Sequence, residues 1–102
     1  MASHEIAEGA IACNAQTLTA NTVDTVTIKG DIKRLRIINA VGPEPIYRTV
    51  NGEVPTVGGS NAEELPAGSV LEDDSYDSST EGQVVVKLIS EGTPTYSVSV
   101  KR

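Results

Sequence analysis

Val84-Val85-Val86-Lys87-Leu88-Ile89 and, a short step later, Thr95-Tyr96-Ser97-Val98-Ser99-Val100-Lys101 are the stretches that decide the fold. In the second, apolar and polar residues alternate, which is the mark of a strand with one face in a core and one in water. The pattern predicts Tyr96, Val98 and Val100 inside. In the first, Lys87 marks the wet face and sends Val84, Val86 and Leu88 inward. Glu91-Gly92-Thr93-Pro94 lies between them at hairpin length, so the two runs are expected to pair as neighbours.

Upstream, Ile32-Lys33-Arg34-Leu35-Arg36-Ile37-Ile38-Asn39 mixes charges with aliphatics and puts Leu35 and Ile37 on one face. Gly42-Pro43-Glu44-Pro45 breaks it, because proline has no N–H for a ladder. Ile46-Tyr47-Arg48-Thr49-Val50 is a further strand, and Asn51-Gly52 after it is a tight-turn signal. Residues 54–68 carry Pro55, Gly58, Gly59, Pro66 and Gly68 and predict a structured loop with at most short strands; Val70-Leu71 begins a short strand. Leu18, Val23, Val26 and Ile28 sit in a Thr-rich stretch suited to a half-exposed pleated surface, closed by the turn Lys29-Gly30-Asp31. The fold class is therefore all-β, a small β-sandwich or β-barrel of Ig-like size with short turns. Residues 1–15 read differently. Gly9 interrupts a short helical face of Ile6, Ala7, Ala10 and Ile11, and the segment is expected to be a flexible N-terminal arm or a disordered terminus. Residues 16–102 form the single β domain.

The chain has 102 residues, no Trp, no Phe and three Tyr, so its core rests on Val, Ile and Leu. A core of this size gives modest stability, which subunit contacts would supplement, so homo-oligomerisation is expected. The net charge of −6 and pI near 4.6 argue against nucleic acid and against an anionic membrane as partners. Cys13 is the one cysteine, so no intrachain disulfide forms. Met1-Ala2-Ser3-His4-Glu5-Ile6-Ala7-Glu8 has neither the basic start nor the apolar run of a signal peptide, and no stretch approaches the ~20 apolar residues that cross a bilayer. A soluble protein made in the cytoplasm is expected.

His4 has no second histidine and no cysteine pair with which to build a triad or a zinc site. Cys13 as a nucleophile would need a base or a positive field beside it. Neither catalytic residues nor a cofactor or metal are expected. The segment with Glu63, Glu64, Glu72, Asp73, Asp74, Asp77 and Glu81 has no Lys or Arg. It offers hard oxygen ligands of the kind that suit Ca²⁺, yet lacks the EF-hand order, and reads first as a solvated or partner-facing loop. Lys33, Arg34 and Arg36 concentrate positive charge, either for docking an acidic partner or as an edge strand charged against aggregation.

Pro45-Ile46-Tyr47-Arg48-Thr49-Val50-Asn51-Gly52-Glu53-Val54-Pro55-Thr56-Val57-Gly58-Gly59, then Leu65-Pro66-Ala67-Gly68, then Val85-Val86-Lys87-Leu88-Ile89-Ser90-Glu91-Gly92-Thr93-Pro94-Thr95-Tyr96-Ser97-Val98 resemble small virion proteins of tailed phages of actinobacteria, especially capsid decoration proteins. The resemblance spans roughly residues 18–100. It implies a β-sandwich or β-barrel on the outside of an assembled head, bound to the major capsid protein and often trimeric at local three-fold positions. It places the protein on the virion surface after synthesis in the host cytoplasm. On that basis capsid contacts are expected at Ala2, Ile6 and Ile11 of the arm and at Lys33, Arg34, Arg36 and Arg48. Two other readings stand beside it. The stretch from Ile46 through Thr56 is similar to a repeat of bacterial Ig-like accessory modules of surface and carbohydrate-acting proteins, from which Arg48 and Asn51 depart. The same domain also suits a minor tail, tail-tube or head-fibre component.

Overall fold

The periodic stretches become strands in the computed structural model, which describes residues 2–50, 53–73 and 83–102. In chain order these are β1 (Ser3–Ile6), β2 (Ala12–Thr17), β3 (Asp24–Lys29), β4 (Arg34–Val41), β5 (Ile46–Val50), β6 (Glu63–Leu65), β7 (Val70–Asp73), β8 (Gln83–Ile89) and β9 (Thr95–Lys101). They form two sheets, ordered β1-β3-β8-β5-β6 and β2-β9-β4-β7. Every neighbouring pair is antiparallel except β1 and β3, which run parallel.

The two sheets face one another across a single aliphatic core. Ile6, Val26, Ile28, Ile46, Leu65, Val84, Val86 and Leu88 come from the first sheet; Leu35, Ile37, Tyr96, Val98 and Val100 come from the second. Leu18 and Ile32 plug the core from connecting segments. The alternation in β8 and β9 thus holds residue by residue, as does that of Leu35 and Ile37. The fold is all-β, with the interior packed by β-branched and leucine side chains as the composition requires.

Successive strands lie in opposite sheets at every step except β5 to β6. This winding overturns the hairpin expected between β8 and β9. β8 pairs with β3 and β5, whereas β9 pairs with β2 and β4. Residues 90–94 cross between the sheets instead, and their polar groups are bonded to other crossings. Ser90 Oγ donates to the Pro45 carbonyl at 2.7 Å, and the Leu18 amide donates to the Pro94 carbonyl at 3.0 Å. Gly42, at φ +123°, lets a second crossing approach the first, since a Cβ there would lie 3.0 Å from Pro94 Cα.

The flexible arm expected over residues 1–15 is also corrected. Its residues supply β1 and most of β2, and each strand sits at one edge of a sheet. The physical reason is Ile6, only 1 % exposed, together with backbone pairing from Ser3↔Thr25 to Ile6↔Ile28. Gly9 does not interrupt a helix. At φ +91° it turns the chain from one sheet to the other, closed by Ala10 N–H donating to the Ala7 carbonyl at 2.9 Å. The strand bearing Arg34 and Arg36 is not an edge, because β4 lies between β9 and β7. Within the expected loop of residues 54–68, β6 adds to β5. The Asn51-Gly52 turn lies outside the described residues.

Candidate functional site

A groove of about 460 Å³ opens on the outer face of the second sheet, lined by Ile11, Arg34, Arg36, Glu72, Ser99, Val100, Lys101 and Arg102. Strand register explains why a depression forms there. Arg36 stands opposite Ser99 and Arg34 opposite Lys101, while Ser99 also stands opposite Ala12 on β2. Residues directly opposite on adjacent strands share a face. Small Ser99 and Ala12 therefore make a low floor between the long Arg36 side chain and Ile11, which is 61 % exposed just before β2.

Two local devices hold the walls. Arg36 Nε donates to Glu72 Oε2 at 3.1 Å across the β4–β7 pair. Arg102 donates to three carbonyls, through Nε to Ala10 at 2.8 Å, Nη1 to Asp31 at 3.2 Å and Nη2 to Ala7 at 3.0 Å. Its guanidinium is thereby pinned to the β1–β2 turn that presents Ile11. Among the described residues, Arg34, Arg36, Lys101 and Arg102 line this groove together with the Glu72 carboxylate, in a chain whose net charge is −6.

Of the residues expected to contact a partner, Ile11, Arg34 and Arg36 are brought together on this groove, and exposed Lys33 directly precedes Arg34. Ala2 sits at the far end of β1, its amide donating to Asp24 Oδ1 at 3.2 Å. Ile6 belongs to the core, and Arg48 is 3 % exposed and paired with Glu63 on β6, so neither contributes to that face. Ser99, Lys101 and Arg102 escaped the sequence reading, and Glu72 entered it only as part of the acidic stretch. The period-two alternation of β9 already put Ser99 and Lys101 on its wet face, but nothing local says that β4 lies beside it.

A second polar cluster lies between the sheets. Buried Asp24 on β3 accepts a hydrogen bond from the Tyr96 hydroxyl at 3.0 Å, and His4 Nε2 is 3.9 Å from the same carboxylate oxygen, beyond hydrogen-bond reach. Burial, and then the Asp24 charge, push the Tyr96 hydroxyl far up from its ordinary value, so it acts as a donor. Burial likewise raises the Cys13 thiol, with Asp24 adding to the rise and a hydrogen bond with Gln16 opposing it. That is the direction opposite to thiolate activation. The cluster satisfies a buried charge and ties β1, β3 and β9 together.

Among the described residues, no three His, Cys, Asp or Glu side chains converge as metal ligands. Glu63 pairs with Arg48, Glu64 accepts from the Tyr47 hydroxyl at 3.2 Å, and Glu72 pairs with Arg36. Asp74, Asp77 and Glu81 of the acidic stretch lie outside the described residues, and the side chain of Asp73 is likewise not described.

The architecture defines a two-sheet all-β domain whose chain winds back and forth between its sheets. It is similar to a de novo designed double-stranded β-helix solved by solution NMR, at a TM-score of 0.56 and 13 % identity, covering 88 % of this chain and 97 % of that one. At that identity the likeness concerns the fold alone. No family model and no curated protein matches the chain.

Proposed function

We propose that this chain is a capsid decoration protein of a tailed phage, attaching to the outside of an assembled head through the outer face of its second sheet. One observation carries the choice of face. Ile11, Arg34, Arg36 and Lys101 gather around one groove on a protein that is otherwise acidic. Arginine and an exposed aliphatic beside a depression are features of protein–protein contact sites, where planar guanidinium groups and apolar anchors supply much of the energy. The resemblance in sequence supplies the partner, the major capsid protein. The resemblance favours a trimer at local three-fold positions, and binding to a lattice would stabilise a small core by mass action.

The test pairs light scattering of the purified chain with co-sedimentation on heads stripped of their decoration. A discrete oligomer that rebinds heads saturably, at a stoichiometry matching the lattice symmetry, is the expected result. Combined Arg34→Ala and Arg36→Ala substitution should weaken rebinding by about ten-fold or more, equivalent to about 1.4 kcal/mol. A monomer that ignores heads but sediments with tails would transfer the protein to the tail, and one that sediments with polysaccharide would favour the Ig-like accessory reading.

A further inference from the structure

Asp24 opens β3 with its side chain turned inward, only 2 % exposed. Parallel pairing puts the start of β1 beside it, because Ser3 stands opposite Thr25 and the Ala2 nitrogen lies one step back. That nitrogen donates to Asp24 Oδ1 at 3.2 Å, while the Ala2 carbonyl accepts from the Thr25 amide at 2.9 Å. The Tyr96 hydroxyl donates to the other carboxylate oxygen at 3.0 Å. Both donors are neutral groups. Among the described residues, the basic side chain paired with Asp24 is His4, with Nε2 3.9 Å away and charged only when protonated. A carboxylate this deep in the fold is expensive without a counter-charge.

We infer that the working form of this chain begins at Ala2, whose free α-ammonium, released by hydrolysis of the Met1–Ala2 bond, sits on Asp24 as its fixed counter-ion. Hydrolysis adds one water across that bond. The hydroxyl goes to the Met1 carbonyl carbon, which leaves as a carboxylate. The Ala2 nitrogen gains two protons, one from the water and one from the departing acid. A cellular peptidase supplies the catalysis.

Three features support this assignment. The first is position. The nitrogen already lies at the carboxylate, and the Ala2 carbonyl makes its own bond to Thr25, so that bond is kept after cleavage. The second is chemistry. An ammonium brings three donors and a full charge, and charge-assisted bonds contract to about 2.7–2.9 Å, shorter than the amide contact. The third is the setting. Asp24 is faced by His4 from β1, the raised Tyr96 hydroxyl from β9, the raised Cys13 thiol from β2 and apolar Leu88 from β8, none of them a permanent cation. Attraction between opposite charges is stronger in such a site than in water. β1 is then fastened at both ends, by the ammonium at Ala2 and by buried Ile6.

The first reading is the intact mass of the chain produced with Met1 in place, which is expected to fall by one methionine residue. The deciding experiment compares two preparations that both begin at Ala2, one with a free α-amine and one Nα-acetylated, which keeps the N–H but not the charge. Followed by NMR on ¹³C-labelled alanine, the Ala2 amine is expected to titrate one unit or more above the ~7.7–8.0 of a free chain, a ten-fold or greater gain in proton affinity. The free-amine form should also unfold at higher urea. Because the folded-state value lies above the unfolded one, that advantage is whole below about pH 7.7 and disappears as pH climbs through the raised value. His4, Cys13 and Tyr96 are common to both preparations, so their own titrations cancel in the difference.

Asp24→Asn in the free-amine form should return the amine to its free-chain value, and the acetylated comparison decides the matter if that variant does not fold. Retention of Met1, an amine that titrates as in a free chain, or equal stability of the two preparations at neutral pH would overturn the inference. Heads take no part in these measurements, so attachment to a capsid and the ion pair at Ala2 stand or fall separately.

Discussion

The outer faces of the two sheets both carry polar residues but differ in relief. Across the first sheet, Ser3, Thr25, Lys87 and Thr49 stand in one row, and Glu5, Thr27 and Val85 in the next. Branched or long side chains sit side by side in β3, β8 and β5, and Lys29 reaches Gln83 at 2.7 Å, so the surface is level and tied to itself. Across the second sheet, Glu72, Arg36, Ser99 and Ala12 form a row that drops from long side chains to short ones. A binding surface in a β domain is thus made as much by small residues at chosen register positions as by the charged ones around them.

The sharpest way to break the comparison is from inside, where the sheets should behave alike. Ile28→Ala in the first sheet and Ile37→Ala in the second each empty a fully buried site and should each cost about 2–5 kcal/mol in urea unfolding. A much smaller loss for one sheet would show that the two do not share one cooperative core. Next in size is Tyr96→Phe, which deprives buried Asp24 of a donor and should cost about 1.5–3 kcal/mol. Its pH dependence has a definite sign. Burial, then Asp24, raise the folded-state pKa of Tyr96 above the unfolded value of about 10. Its contribution is whole below pH 10 and declines as pH climbs beyond that, because only the unfolded chain then releases the proton. Subtracting the Tyr96→Phe stability curve from that of the parent should isolate this alkaline loss.

The outer faces themselves are separated by a matched pair. Ser99→Trp should reduce rebinding to stripped heads about ten-fold, whereas Thr27→Trp, on the level face, should leave it within about two-fold. Equal effects would mean that relief is irrelevant. The smallest effect belongs to Glu72→Gln. Its bond to Arg36 lies on side chains 37 % and 52 % exposed, where solvent and salt screen the charges, so thermal unfolding should report a loss of only about 0.2–1 kcal/mol.

Strand content was legible wherever alternation ran uninterrupted. Tyr96, Val98 and Val100, or Val84, Val86 and Leu88, announce their facing through a period of two, and each is buried as read. What lies next to a strand is a different kind of information. Residues 90–94 have hairpin length, yet the bonds of Ser90 to Pro45 and of Leu18 to Pro94 bind this segment to other crossings between the sheets. Likewise, nothing within Ser3–Ile6 signals a parallel partner at Thr25–Ile28, and four residues are too few for periodicity to speak. The candidate site was half legible for the same reason. Arg34 and Arg36 were visible as charge and Ile11 only as part of an expected arm, but their meeting place depends on Ser99 and Ala12, whose smallness matters only once β9 lies between β4 and β2.

The pairing of β2 with β9 has a consequence for how the molecule is made. A ribosome delivers Ala12–Thr17 early and Thr95–Lys101 late, and the second sheet joins these two segments directly. Until residues 95–101 emerge, β2 has no neighbour in its sheet and the opposing layer lacks Tyr96, Val98 and Val100. Translation must therefore pass Lys101 before the core can close. Such long-range pairing places folding in the slow, millisecond-to-second class of β topologies. The nascent chain meanwhile travels with its strand edges open, and the bulge in β2, where Ala15 adopts φ +55° between Cys13 and Gln16, is a built-in obstacle to a stranger pairing there first.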